Sequence, residues 1–202
     1  MSAVPVEELI TSLELGAKSF APDELAYLAL TSKVERPLQD RLAWALHTRL
    51  PELVVAREWR RCDIAVLNSD ASLPLLLLEA KAMYSFDLVR KTSAADYAAK
   101  VKADLDKMRV LDKSGAADTY ALVLATHPFS TPQNLPGVIK YDRDVRAALH
   151  KMPEDGIRRA AANAANRILG AFGPVRKGSL SGGSAFGTQV AVDYWLVGPP
   201  LR

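Results

Sequence analysis

The spacing of hydrophobic positions changes several times along the chain, and each change marks an element. Over residues 32–50, SKVERPLQDRLAWALHTRL, the residues Val34, Leu38, Leu42, Ala45 and Leu46 recur at helical spacing, giving one apolar stripe. Ser32 followed three residues later by Glu35 fits a capping box at the helix start, and Pro51 ends it. At about 100° per residue, Glu35 lies almost under Leu42 and Leu46, on the core-facing side, while Asp40 points roughly the opposite way. Residues 5–30 read as one or two short helices with a break near FAPDEL, where Asp23 could cap the second.

Beyond Pro51 the period shortens. ELVVAREW and RRCDIAVLN are strand-like, NSDAS is turn chemistry, and LPLLLLEAKA is a third strand. These runs are apolar at successive positions, as in strands covered by helices on both faces. Residues 91–112 return to helical spacing through Tyr97, Val101, Leu105, Met108 and Leu111. TYALVLATHPF predicts a further buried strand and STPQNLPG a loop. Residues 142–170 are helical with a break at Met152–Pro153, and their AAANAAN stretch suits close packing. GPVRKGSLSGGSAFG reads as a Gly/Ser loop and TQVAVDYWLVG as a last strand. Helix, three strands, helix, strand, helices, strand make an α/β fold with a central mixed β-sheet flanked by helices on both faces. A single domain over 1–202 is expected, its core about 32–126, with 1–31 a helical extension and 127–202 the terminal helices and strand.

Composition narrows the class. Of 202 residues, 49% are hydrophobic and 24% charged, which supports a globular core. The net charge of +3 permits a polyanionic partner without arguing for one. Cys62 is the one cysteine, so an intrachain disulfide is excluded. The N-terminus lacks the basic start and apolar core of a signal peptide, and no run approaches the roughly 18 apolar residues of a membrane span; a cytoplasmic protein is expected. His47, His127 and His150 show no zinc spacing, and no phosphate-binding Gly-rich loop occurs.

The chemistry concentrates in Asp63, Glu79 and Lys81, charges set in apolar strands. Glu79 and Lys81 share a face, since strand side chains alternate. Asp63 lies on the preceding strand across a tight turn, and register sets its level against Glu79. Two nearby buried carboxylates repel and are costly to desolvate. A hard divalent cation relieves both problems, and a lysine beside it can orient water and offset charge on a phosphate. The competing explanation is a structural ion pair where the strand meets water. Buried ion pairs seldom stabilise more than apolar residues in their place, which favours a functional role. Glu35 is divided between capping and the site. Asp104 falls on the apolar side of its helix, close to the line of Tyr97 and Met108, where a site role is conceivable, but an i, i+4 pair with Lys100 is the favoured explanation. Lys91, Lys100, Lys102 and Lys107 could contact phosphates, but they spread around their helix and a solvated face is favoured; one or two of Arg57, Arg60 and Arg61 could face a nucleic acid.

The segment RCDIAVLN…LLLLEAKA resembles the PD-(D/E)XK nuclease superfamily, the restriction-endonuclease-like fold. Asp63 matches the first acid, and Glu79-Ala80-Lys81 matches the tripeptide ending the next strand. Glu35 resembles the helical acid of many members, and the likeness covers about 32–126. It departs at Cys62, which stands in place of proline, a residue many members also lack there, and at Ser93, four residues before Tyr97, where the helicase-associated branch has glutamine. The resemblance implies that Asp63, Glu79 and the Ala80 carbonyl bind Mg²⁺ or Mn²⁺, that Lys81 positions the attacking water, and that Glu35 assists. It further implies hydrolysis of phosphodiesters in DNA in preference to RNA, and a possible homodimer or larger complex. A second reading keeps the fold as a non-catalytic nucleic-acid or protein-binding component of a defence or repair complex.

Overall fold

The structure, a computed structural model, describes residues 4–199. Six strands form one mixed sheet in the order β1-β2-β3-β4-β6-β5. β1 (Val54–Trp59), β2 (Cys62–Leu67) and β3 (Pro74–Tyr84) make an antiparallel meander; β4 (Asp118–Pro128) runs parallel to β3, and β6 (Thr188–Val197) antiparallel to β4 and β5 (Val175–Ala185). Parallel neighbours need a long crossover. Here α4 (Ser85–Val89) and α5 (Lys91–Leu111) supply it.

The two alternating faces of the strands bury into different layers. Leu76, Leu78, Ala80 and Ala82 of β3 pack with Leu9 and Leu13 of α1 (Val6–Lys18), Leu25 and Leu30 of α2 (Glu24–Thr31), and Leu38, Leu42 and Leu46 of α3 (Glu35–Arg49). Leu77 and Met83 pack on the opposite side with Val101, Leu105 and Met108 of α5 and Ala161 and Ala165 of α7 (Glu154–Leu169). The break at Met152–Pro153 separates α6 (Asp142–Lys151) from α7 as expected, and no helix of the described residues is long and apolar enough to cross a membrane.

Three local expectations are corrected. The Gly/Ser-rich segment is β5, an edge strand in a hairpin with β6. Its glycines admit neighbours rather than confer slack: a side chain at Gly178 would collide with the Tyr194 ring, and one at Gly183, at φ +82°, with Asp23. Asp23 occupies the start of α2 without capping it, and its Oδ1 instead accepts the Ser184 N–H at 2.7 Å. No capping box forms at α3, because the Ser32 hydroxyl donates back to the Leu28 carbonyl at 2.9 Å and closes α2.

Candidate active site

The site is built where β2 stops accompanying β3. Ile64 pairs with Leu78, so the next residues, Asp63 and Glu79, stand opposite each other with side chains on the α5 side. β4 continues alongside β3 as far as Tyr84, while the pairing with β2 ends near Leu78. The backbone N–H groups of β3 beyond that point need other acceptors. Two predicted acids provide them: Asp63 Oδ2 accepts the Ala80 N–H at 2.8 Å, and Glu35 Oε2 accepts the Ala82 N–H at 2.9 Å. Glu35 thus reaches across from the first turn of α3 to the same strand edge; its predicted capping contact is absent.

The four predicted side chains therefore come together along β3 from Glu79 to Ala82. Lys81 Nζ lies 2.8 Å from Asp104 Oδ2 and 3.7 Å from Glu79 Oε2, and donates to the Ala80 carbonyl at 3.1 Å. Lys107 is ion-paired with Glu79 Oε1 and also donates to the Arg61 carbonyl at 2.9 Å. Arg60 and Arg61 form the tight β1–β2 turn with both φ positive, +49° and +67°, the geometry of a type I′ hairpin. That turn aims the Arg61 carbonyl at Lys107.

For two residues of this cluster the sequence favours another place. Asp104 pairs with Lys81 rather than Lys100, and Lys107 lies over Glu79 rather than on a solvated face. The available signal was their common stripe: Asp104 and Lys107 follow Tyr97 at seven and ten residues along α5, the spacing that keeps positions on one side of a helix. Lys102 behaves as expected, pairing with Asp106 at 2.6 Å while 64% exposed. Arg57 binds Asp40 at 2.6 Å, and Arg60 stacks on Trp59.

The electrostatics follow from burial. Glu79 is 3% exposed; burial, with the charges of Asp63 and Asp104, lifts its carboxyl to about 7 against the pull of Lys107. Burial opposes the charge on Lys81, but Asp104, Glu35 and Glu79 outweigh it and raise its pKa. Lys81 is thus held as a cation. Burial and the Glu79 charge push the Cys62 thiol up to about 12, which removes it as a nucleophile.

The donors suit a hard divalent cation. Every candidate ligand is an oxygen, and four carboxylates (Asp63, Glu79, Asp104 and Glu35) face two ammonium groups. Mg²⁺ needs only one or two carboxylates, since it keeps several waters. Among the described residues, no group of three His, Cys, Asp or Glu side chains is arranged to hold a metal ion. In this arrangement Asp63 and Glu35 each commit an oxygen to backbone, and Lys107 stands on Glu79. The searches of protein-family models, of curated proteins and of solved structures each returned no match to this chain.

Proposed function

We propose that this chain is a metal-dependent nuclease that hydrolyses phosphodiester bonds in DNA, with a restriction-endonuclease-like arrangement of its core. The observation that carries the reading is the opposition of Asp63 and Glu79 on adjacent strands, with Lys81 on the same face and Glu35 at the same strand edge. Asp63 and Glu79 would hold Mg²⁺ or Mn²⁺, with the Ala80 carbonyl beside them. The cation would supply Lewis-acid stabilisation of the phosphate and a lowered pKa for water. Lys81 stays protonated through its contact with Asp104, so it acts as a donor that orients water and offsets charge on the phosphate; it is not the base. Glu35 anchors the strand edge and adds negative charge next to Lys81.

The test is cleavage of plasmid and single-stranded DNA in Mg²⁺ or Mn²⁺ by the wild type, Asp63→Ala and Lys81→Ala. Cutting by the wild type alone is expected. No cutting by the wild type, or equal cutting by the variants, rejects the reading. The ammonium of Lys107 on Glu79 favours one second reading, a non-catalytic binding module whose buried acid is neutralised internally. Calorimetry separates the two, because only the nuclease takes up Mn²⁺.

A further inference from the structure

The charged cluster continues into an aromatic ledge. Tyr97 stands seven residues before Asp104 on the same stripe of α5, about 10 Å along the helix axis. Glu35, bonded to the Ala82 N–H next to Lys81, is near enough to Tyr97 for its charge to act on both. Tyr141 also acts on Tyr97, and its ring meets Tyr84 edge-on at 5.6 Å. Three exposed lysines border these rings: Lys100 Nζ at 5.0 Å and Lys33 Nζ at 6.0 Å from the Tyr97 ring centre, and Lys140 Nζ at 5.5 Å from that of Tyr141. None of the three is in an ion pair among the described residues. The nearby acids are Glu35, Asp87, Asp96, Asp142 and Asp144; Asp87 accepts the Tyr84 N–H at 3.0 Å, Asp142 is paired with Arg146 and Asp144 with Arg90, and Asp96 precedes Tyr97 and Lys100 on α5.

Tyr141 is held outward at a cost. It is 42% exposed and sits at φ +61°, a region that a bulky residue occupies only when its surroundings impose it. Those surroundings are visible: the Lys140 N–H donates to the Leu30 carbonyl at 2.7 Å, and the Tyr84 hydroxyl donates to the Ala29 carbonyl at 2.8 Å and reaches the Lys140 carbonyl at 3.4 Å. A fixed, exposed aromatic ring with unpaired cations beside it offers a π-face and phosphate contacts together. A duplex keeps its bases stacked inside. An unpaired strand presents them.

We propose that the ledge of Tyr141, Tyr97, Lys33, Lys100 and Lys140 binds a single-stranded nucleic acid, stacking its bases on the tyrosines and leading the strand toward Lys81. The proposal deepens the nuclease reading, on which it rests for the strand's destination. Its test needs no catalysis: fluorescence anisotropy in EDTA with a labelled DNA strand, its blunt duplex, an abasic strand and an RNA strand of the same sequence. Wild type should bind the better of the two single strands at least about 10-fold more tightly than the duplex, and that comparison assigns the ledge to DNA or RNA. Tyr141→Ala should weaken binding of that strand about 10-fold and of the abasic strand by less than about 2-fold, while Tyr141→Phe keeps wild-type affinity. Absence of binding, equal binding of the duplex, or indifference to Tyr141→Ala overturns the proposal. Strand binding without cutting would leave the ledge standing and reject the nuclease. Duplex cutting that ignores Tyr141 would do the reverse.

Discussion

Two ion-pair systems sit on the α5–α7 side of the sheet, and they differ in balance. At β6, Arg158 donates to both oxygens of Asp193, from Nε at 2.8 Å and Nη2 at 2.6 Å, and to Ser179 Oγ at 2.8 Å. One cation meets one anion, and both carboxylate oxygens are filled. Along β3, four carboxylates gather around two lysines, which pair with Glu79 and Asp104 while Asp63 and Glu35 accept backbone N–H groups; one of the four, Glu79, is nearly fully buried. A closed bidentate pair accounts for itself as structure. In the open cluster Asp63 and Glu35 are accounted for as acceptors of β3 N–H groups, but the excess of negative charge around the buried Glu79 is not. Imbalance, rather than charge, is what distinguishes the β3 region, and under the proposed function a further cation would redress it.

The largest effect should separate the regions outright. Lys81→Ala is expected to slow DNA cleavage by about 10²–10³-fold, the usual loss for a single positioned donor. Arg158→Ala should leave the cleavage rate within about 3-fold, as expected for a residue outside the chemistry. Equal losses would show that cleavage follows general stability, and the contrast would collapse.

Titration sharpens the comparison, because the two regions carry opposite signs. Glu79 is raised from 4.5 to about 7, so the fold prefers its protonated form. The associated stability is complete below about pH 4.5 and is lost as pH rises through 7, to the extent of about 3 kcal/mol. Near Arg158, burial and the guanidinium charge hold His127 down from 6.5 to about 4. Its contribution is complete above about pH 6.5 and is lost as pH falls through 4. Thermal melts without metal should therefore show that Glu79→Gln flattens the neutral-to-alkaline fall and leaves the acid limb alone. A Glu79→Gln curve parallel to wild type from pH 5 to 8 would remove Glu79 as the cause.

Arg158→Ala should in turn lower stability by about 2 kcal/mol, since it strands a largely buried Asp193. Asp193→Asn in the same background should recover part of that loss in denaturant melts. No recovery would mean that Arg158 acts through packing alone.

Much of this was readable from residues. β1 to β4, α3 and α5 follow from period, and strand alternation placed Glu79 beside Lys81. Asp63 opposite Glu79 needed a register that only the NSDAS turn and its neighbours set in three dimensions. Asp104 and Lys107 were ranked below a helix pair and a solvated face because a helix stripe shows which residues share a side, not which strand residue that side crosses. β5 was missed because an edge strand has one wet face: Leu180 is its one buried hydrophobic side chain, and close approach by Tyr194 and Asp23 selects glycine where β-branched residues would have signalled a strand. The short α4 follows β3 without a break in apolar character and has too few turns to show a period.

The smallest predicted effect tests whether the open cluster is open. Lys107 supplies Glu79 with a cation while 38% exposed itself, so its ammonium stands where a divalent ion would neutralise the same carboxylate. Lys107→Met should cost only about 1 kcal/mol in metal-free melts, because Glu79, near pKa 7, can take a proton once its partner is gone. The same variant should bind Mn²⁺ more tightly than wild type, by roughly fivefold, since the ion no longer displaces an ammonium. The closed pair offers no such trade: Arg158→Met should lose stability and gain no Mn²⁺ affinity. Weaker Mn²⁺ binding by Lys107→Met would place Lys107 among the groups that build the site rather than those that fill it.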